Sequence, residues 1–219
     1  MRHRARLALL MMIPLAAACG CRSSQGGLGD DYMTVAADPR RDTEAARRHN
    51  ARAVGLIGDE KLDDAERELK AAMGADLFFG PAHNNLGNVY YRTRRYYLAA
   101  WEFQYAAKLM PEAVEPRNNL GLVFEAVGRL DDAARWYDTA LELSPGSVEA
   151  AANLARVRVR QGQKDDATRD LLSRVVMRDP RPEWTAWARQ QLALIGGPAA
   201  TGIGARDNAE PVTPNSPQP

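Results

Sequence analysis

The chain contains few of the residues from which catalytic and metal sites are built. It has two cysteines, Cys19 and Cys21, and three histidines. It contains no cysteine–histidine cluster with the spacing of zinc ligands, and no Gly-x-Ser-x-Gly nucleophile motif. The glycine-rich stretches 26–29 and 202–204 lack the Lys-Ser/Thr that follows a phosphate loop. The sequence therefore predicts a protein with no catalytic residues, no metal and no cofactor.

The chain also lacks an excess of charge of one sign. It carries 29 lysines and arginines against 28 aspartates and glutamates, a formal net charge of +1. Such a balance creates no global field that would attract nucleic acid. Arginines cluster locally in 40–52 and 92–95, but solvated helix surfaces commonly carry such runs. We therefore expect no nucleic-acid partner.

No apolar run is long enough to cross a membrane as a mature helix. The longest candidate, Leu7 to Ala18, follows the basic residues of 2–6 and is shorter than the about 20 residues that a span requires. A basic segment followed by a short apolar segment is typical of a signal peptide. We predict a signal peptide over 1–18.

The residues at the end of this segment resemble a bacterial lipobox. The sequence Leu-Ala-Ala-Ala-Cys occupies 15–19, with Ala16 where the family prefers leucine. The resemblance implies that Cys19 takes a diacylglyceryl group, becomes the mature N-terminus and anchors the protein to a membrane facing the periplasm. Gly20 after the cysteine, in place of aspartate, implies the outer membrane.

Two alternatives to lipidation at Cys19 stay open. Cys21 is a weaker candidate for the lipidated residue. The Ala-x-Ala at 16–18 also fits ordinary signal cleavage, which would leave a soluble periplasmic protein.

The two flanks of the chain have the composition of unstructured segments. Residues 19–41 contain glycines and serines and predict a flexible tether. Residues 196–219 are rich in glycine, proline, asparagine and alanine, and cannot bury enough apolar surface to order themselves. A tail of this kind can also bind as an extended strand or polyproline helix.

A 34-residue repeat occupies the middle of the chain. Leu-Gly or Leu-Ala pairs recur at 86–87, 120–121 and 154–155. In the second half of each unit, an Ala-x-x-x-aromatic or Ala-x-x-x-Leu pattern recurs at 99–103, 133–137 and 167–171. This pattern resembles the tetratricopeptide repeat, a helix–turn–helix unit that stacks into a solenoid.

The resemblance implies an all-α solenoid over 42–195. Its four units are 46–79, 80–113, 114–147 and 148–181, followed by a capping helix over 182–195. No unit can bury its apolar face alone, so only the stack supplies a core. Trp184 and Trp187 of the cap are expected to pack in that core, and His49 and His83 to be structural.

The third unit shows how the repeated residues should work. Gly121 and Ala133 are small, which predicts a close helix crossing beside Tyr137. Gly128 is expected to end the first helix in a left-handed conformation. Asp131 or the aspartate after it is expected to begin the second helix.

Family members present a concave groove lined by the first helix of each unit. The resemblance implies that asparagines here bond the backbone of an extended peptide while Tyr91 and Leu122 pack against its side chains. Glu125 and Leu122 interrupt the pattern of a full carboxylate clamp. The groove residues expected to bind peptide are Asn84, Asn88, Tyr91, Arg92, Asn118, Leu122, Arg156 and Arg160.

The opposite, convex face carries aromatics in the second unit only. Tyr97, Trp101 and Tyr105 fall at i, i+4 and i+8 and form one stripe. The other three units place an Asp–Arg pair, four residues apart, in the first two of these columns. We predict that the stripe is an interface for a partner or a second copy of the chain, unless the tether or the tail covers it.

These observations favour a non-catalytic protein–protein interaction scaffold, lipid-anchored in the bacterial envelope and serving assembly of an envelope complex. Its expected partners are another envelope protein or peptide segment, the membrane through its lipid, and a second copy of the chain. One alternative is a soluble periplasmic chaperone-like or carrier protein that binds extended peptides in the groove. Another is a non-catalytic subunit of an envelope enzyme.

Overall fold

A computed structural model describes residues 41–196 of the chain. The predicted signal peptide, Cys19, Cys21, most of the tether and nearly all of the tail lie outside these residues. All regular secondary structure within 41–196 is α-helical. The helices of this part of the chain are α1 Thr43–Gly58, α2 Leu62–Ala75, α3 Gly80–Arg92, α4 Tyr96–Leu109, α5 Glu115–Ala126, α6 Leu130–Leu143, α7 Val148–Arg160, α8 Asp166–Arg178 and α9 Pro182–Gly196.

The helices stack in four consecutive pairs, with α9 packed against α8. Within each pair the two helices contact each other, and the second helix also contacts the first helix of the next pair. The first helices α1, α3, α5 and α7 also contact one another in order. The prediction of an all-α solenoid with a capping helix is therefore confirmed. None of the helices in 41–196 combines the length and apolarity that a membrane span requires.

The turns inside the four pairs share one left-handed residue at the same position of the repeat. These residues are Glu60 with φ 62°, Arg94 with φ 59°, Gly128 with φ 77° and Gly162 with φ 75°. The prediction for Gly128 is confirmed. A positive φ suits glycine because it has no Cβ to clash with the following carbonyl.

The start of α6 differs from the prediction. The helix begins at Leu130, and within the described range Arg129 before it makes no side-chain capping bond. The expectation that Asp131 or Asp132 begins this helix is therefore wrong. Both aspartates instead lie in the first turn, where the partial positive charge of the helix N-terminus favours them.

Each pair crosses where a small residue on the first helix faces a larger one on the second. A Cβ added to Gly87 would lie 2.7 Å from the Phe103 ring, and one added to Gly121 would come still closer to the Tyr137 ring. This confirms the close crossing predicted at Gly121. The outer pairs use a different combination in the same columns, Ala53 with Leu69 and Ala155 with Leu171. The residues in the two columns therefore differ together, because glycine lies opposite an aromatic ring and alanine lies opposite leucine.

The last helix closes the apolar end of the stack. Trp184 and Trp187 of α9 are buried, with ring centroids 5.8 Å apart in an edge-to-face arrangement. This confirms that both tryptophans pack in the core. The guanidinium carbons of Arg156 and Arg181 lie 4.9 and 4.6 Å from the Trp184 ring centroid, so cations also cover this ring.

Candidate functional site

The asparagines of the inner face bond to one another across neighbouring repeats. Each bond runs from an amide nitrogen to the side-chain oxygen of an asparagine 35 residues earlier. The three bonds are Asn85 Nδ2 to Asn50 Oδ1 at 2.8 Å, Asn119 Nδ2 to Asn84 Oδ1 at 3.2 Å, and Asn153 Nδ2 to Asn118 Oδ1 at 2.9 Å. Asn84 and Asn118 were predicted to bind a peptide backbone, but here they hold adjacent repeats in register.

This asparagine ladder has defined ends. The second and third repeats carry an Asn-Asn doublet, which supplies one acceptor and one donor. The first repeat has Asn50 followed by Ala51, and the fourth has Ala152 followed by Asn153. The outer repeats therefore keep only the asparagine that faces a neighbour. The doublets are visible in the sequence and could have indicated this role.

Arg92 is bonded to the preceding repeat. Its Nη1 donates to the carbonyl oxygen of Ile57 at 3.1 Å, and its Nη2 pairs with Glu60. The Arg92 side chain is 7% exposed. The guanidinium of Arg92 therefore bonds the end of α1 and the turn after it, and its role in binding a groove ligand stays a prediction.

Arg156 is likewise part of a buried network. Its guanidinium forms a two-point pair with Glu125, at 2.8 Å to Oε1 and 2.7 Å to Oε2. Arg160 donates to Glu125 Oε1 at 2.8 Å, and the Tyr137 hydroxyl donates to Oε2 at 3.1 Å. Arg156 is therefore buried within this network, and its role in binding a groove ligand stays a prediction. Arg160, at 40% exposed, reaches the surface from this network.

The network keeps the buried carboxyl of Glu125 ionised. Burial raises the pKa of this carboxyl, but hydrogen bonds and charge from Arg156, with bonds from Tyr137 and Arg160, outweigh it and leave the pKa below its usual value. Burial raises the pKa of the Tyr137 hydroxyl well above its usual value. The glutamate is therefore held ionised and the tyrosine protonated, which suits their hydrogen bond.

Asn88, Tyr91 and Leu122 line a small cavity with Phe103 and Asn119. Its volume is about 10 Å³, which is enough for about one water molecule. Leu122 is buried, and Asn88 Oδ1 has no hydrogen-bond partner among residues 41–196. Tyr91 packs beside Tyr96, with ring centroids 5.8 Å apart. These residues come together as predicted, but the space between them is too small for a peptide side chain.

A larger open cavity of about 380 Å³ lies nearer the start of the first helices. It is lined by polar residues of α3, α5 and the loop before α7, including Asn84, Asn118 and Ser147. Glu115 and Glu149 contribute carboxylates to the same lining. The chemistry of this cavity fits a polar or basic segment better than an apolar side chain.

The convex face of α4 presents exposed apolar side chains. Tyr97 is 80% exposed, Trp101 63% and Leu98 42%. Tyr105 differs, because it is half-buried and its ring meets the imidazole of His83 edge-on at 4.6 Å. Tyr105 is therefore less exposed than the other two aromatics of the stripe, and its part in an interface stays a prediction. We call Tyr97, Leu98 and Trp101 the convex patch.

The other three repeats carry an ion pair where the patch lies. Its partners are three residues apart, rather than four as predicted. The pairs are Arg67 with Asp64, Arg135 with Asp132, and Arg169 with Asp166. The aspartates one residue earlier have other roles, since Asp165 caps α8 and Asp131 accepts from Gln161. The second repeat replaces both partners of the pair, with Leu98 for the aspartate and Trp101 for the arginine.

The two histidines within 41–196 occupy equivalent places. His83 is buried, with Nδ1 at 2.7 Å from Glu102 and Nε2 at 2.8 Å from the Leu77 carbonyl oxygen. His49 bonds Glu68 at 2.7 Å in the same way. Both side chains join the helices of one pair, as predicted. Among residues 41–196, no group of three or more histidine, cysteine or acidic side chains is arranged to hold a metal ion.

Two family models match the chain, both described as tetratricopeptide repeat. They cover residues 85–148 and 124–190. No curated protein matches the sequence.

Several solved structures share the fold. pilF of Pseudomonas aeruginosa has a TM-score of 0.64 and 21% identity, covering 75% of this chain and 73% of its own. YrrB, described as a TPR protein with an unusual peptide-binding site, has a TM-score of 0.57 and 19% identity over 75% of this chain and 83% of its own. The first TPR of Spaghetti (RPAP3), bound to an HSP90 peptide, has a TM-score of 0.55 and 21% identity over 57% and 99%.

At these identities the solved structures show the shared fold alone. The family models identify the repeat independently of them, and the stacked helix pairs have its architecture. Tetratricopeptide-repeat models thus match residues within 85–190, and the helices of 41–196 stack in pairs as such repeats do.

Proposed function

We propose that this chain is a non-catalytic scaffold that binds a partner protein of the bacterial envelope through its convex patch. The observation that carries the proposal is the exchange of both members of a surface ion pair for Leu98 and Trp101. Three repeats show that an Asp–Arg pair suits this position of the fold. Stacking therefore does not require apolar residues here.

The physical chemistry of the patch fits a protein interface. An aromatic side chain offers about 150–250 Å² of surface, so Tyr97 and Trp101 expose a few hundred Å² together with Leu98. The largest apolar patch on a soluble monomer is typically about 300–600 Å² and is often functional. Tryptophan and tyrosine are also enriched among the residues that dominate binding energy.

The envelope part of the proposal rests on the sequence before the described residues. A basic segment, a short apolar segment and small residues ahead of Cys19 support a lipid anchor there. The tetratricopeptide fold supports the binding role, because repeats of this family are interaction modules. The relatives bound to or described with peptides, RPAP3 and YrrB, are consistent with this role.

The proposal is tested by crosslinking in membranes, followed by identification of the bound protein. Leu98→Asp combined with Trp101→Arg copies the ion pair of the other repeats. We expect the partner crosslink to be lost while the free energy of unfolding changes by about 0.5 kcal/mol or less. Cys19→Ser should abolish labelling with a lipid precursor and release the folded protein from the membrane fraction. A crosslink retained in the double variant would contradict partner binding by the patch. Unchanged membrane retention of Cys19→Ser would contradict lipidation at Cys19.

A second candidate function uses the groove, because the open cavity of about 380 Å³ beside Asn84 and Asn118 can take part of an extended peptide. In this case the protein would act as a carrier or chaperone. Glu115→Lys with Glu149→Lys reverses the charge of the cavity. If these changes remove the partner and the patch variant keeps it, the groove is the binding site.

A further inference from the structure

We propose that the convex patch binds the proline-rich segment 211–217 of this chain's own tail. The segment would then compete with the partner for one surface, so that partner binding requires its displacement. The inference shares the patch with the proposed function, but it does not depend on the partner's identity. It rests on three properties of the segment and the patch, namely spacing, charge and reach.

The segment has the spacing of a polyproline ligand. Its sequence is Pro-Val-Thr-Pro-Asn-Ser-Pro, with prolines at every third position. A polyproline II helix has three residues per turn and rises 3.1 Å per residue, so such prolines would share one face at intervals of about 9 Å. Binding a segment with this preference costs little conformational entropy, because proline already restricts the backbone.

The patch has the chemistry that recognises such a segment. Polyproline ligands dock against grooves lined by aromatic rings, and Tyr97 and Trp101 expose two such rings on one face of α4. Tyr97 and Trp101 are one helical turn apart, about 6 Å along α4, so one ring fits into the interval between successive prolines. The Tyr97 hydroxyl and the Trp101 indole N–H are hydrogen-bond donors, and a polyproline helix leaves its carbonyl oxygens free to accept.

The lack of charge in the segment favours the second repeat over the other three. Residues 211–219 contain no acidic or basic side chain. The equivalent surface of the other repeats is an ion pair, which would lose its hydration under an uncharged segment. The patch has no such pair, so an uncharged, proline-rich segment can cover it without desolvating a charge.

The intervening chain is long enough to reach the patch. Residues 197–210 separate α9 from Pro211, and at about 3.3–3.6 Å per residue they extend to roughly 45–50 Å. From α9 back to α4 there are five helix-to-helix steps of about 8–10 Å, at most about 50 Å. The segment can therefore reach the patch of its own molecule when residues 197–210 are extended. It can reach the patch of a second copy whether or not these residues are extended.

Quenching of tryptophan fluorescence by acrylamide tests the inference in the full chain. Trp184 and Trp187 are buried and Trp136 is half-buried, so the accessible signal comes mainly from Trp101. The test variant combines Pro211→Ala, Pro214→Ala and Pro217→Ala. If the segment is bound at least half of the time, disabling it should raise the Trp101 quenching constant about twofold or more.

Two controls make the result specific. Pro198→Ala, outside the three-residue spacing, should leave quenching unchanged. A synthetic peptide of residues 208–219 should restore protection of the triple-proline variant at about 1 mM or below, whereas the same peptide with alanines for prolines should not. Protection that survives dilution assigns the segment to its own molecule, and protection lost on dilution assigns it to a second copy; either result supports the inference.

Equal quenching of the unmodified chain and the triple-proline variant would overturn the inference, as would a peptide that restores no protection. This failure is distinct from failure of the proposed function. A chain whose Trp101 is equally open in both forms, yet still crosslinks to its partner through the patch, rejects the tail as occupant and leaves the scaffold proposal intact.

Discussion

The second and third repeats have the same core and different surfaces. Their second helices, α4 and α6, are both 14 residues long. In each repeat a glycine lies against an aromatic ring, Gly87 on Phe103 and Gly121 on Tyr137. On the convex face, however, the second repeat has an apolar patch where the third has an ion pair. The residues that stacking requires are therefore shared, and those that it does not require are free to serve each repeat separately.

On the inner face, the contact between the second and third repeats also differs from the contact between the third and fourth. Tyr91 of the second repeat and Leu122 of the third line one small cavity. One repeat further on, the equivalent positions hold Glu125 and Arg156, joined by a two-point ion pair. An apolar contact and a buried ion pair thus occupy the same place in the stack. We therefore expect that the buried pair can be replaced without changing the fold, provided both members change.

The largest expected effect comes from breaking the buried pair on one side. Arg156→Leu leaves Glu125 buried with only Arg160 and Tyr137 as partners, and should lower the free energy of unfolding by about 3–5 kcal/mol. Arg156→Leu combined with Glu125→Tyr copies the contact of the preceding repeat and should cost clearly less than the single change. Chemical denaturation measures both. A double variant as unstable as the sum of its single changes would show that the two contacts are not interchangeable.

Acid should act on the same pair. Because the pKa of Glu125 is lowered in the fold, its contribution to stability is present above the unfolded value of about 4.5 and is lost as the pH falls through the lower folded pKa. The double variant lacks this carboxyl. Its stability should therefore fall less steeply with pH below about 4.5 than that of the unmodified chain.

A smaller effect should follow from exchanging the crossing residues between repeats. Gly87→Ala forces a Cβ into the Phe103 ring and should destabilise the protein by about 1–3 kcal/mol. Phe103→Leu makes room for it, as Leu69 does beside Ala53 in the first repeat. In a double-mutant cycle, the two changes together should cost less than their sum by at least about 0.5 kcal/mol. Strict additivity would mean that the Ala–Leu and Gly–aromatic combinations do not compensate each other.

The same comparison explains what the sequence could predict. The predictions were correct where a residue meets a local requirement. Gly121 needs a small volume, Gly128 a left-handed backbone, and the two tryptophans of α9 burial. The fold followed from residues of this kind recurring at a fixed spacing. Positions whose role depends on another repeat were harder. Asn84 and Arg92 were assigned to a ligand, but each bonds a residue in a neighbouring repeat, which intrahelical periodicity does not indicate.

The convex face was predicted well in its position and less well in its detail. Trp101 and Tyr97 are exposed, as the helical spacing indicated. Tyr105 was assigned to the same surface, but its contact with His83 depends on how the two helices of the pair cross. The ion pairs were assigned to the wrong aspartates because i,i+3 and i,i+4 neighbours are both within reach on a helix. Leu98, which replaces the true partner, was therefore missed.

The smallest expected effect concerns the left-handed turns. The four repeats share the backbone conformation there but differ in the residue that adopts it. Arg94 and Glu60 hold a positive φ where Gly128 and Gly162 occupy the equivalent turns. A non-glycine residue in this conformation costs about 1–2 kcal/mol. Arg94→Gly should therefore raise the free energy of unfolding by about 1 kcal/mol, after the greater entropy of glycine in the unfolded chain is subtracted.

Gly128→Ala is the reciprocal change and should lower stability by about 1 kcal/mol. A Cβ at this glycine would meet no atom of the described part of the chain within 4 Å, so the change measures backbone strain alone. Glu60→Gly should gain less than Arg94→Gly, because Glu60 also pairs with Arg92 of the next repeat. Thermal or chemical unfolding distinguishes these shifts. Arg94 precedes α4 and its patch. If Arg94→Gly stabilises the fold but loses the partner crosslink, the Arg94 side chain belongs to the binding surface; if it stabilises the fold and keeps the crosslink, the convex patch alone carries binding.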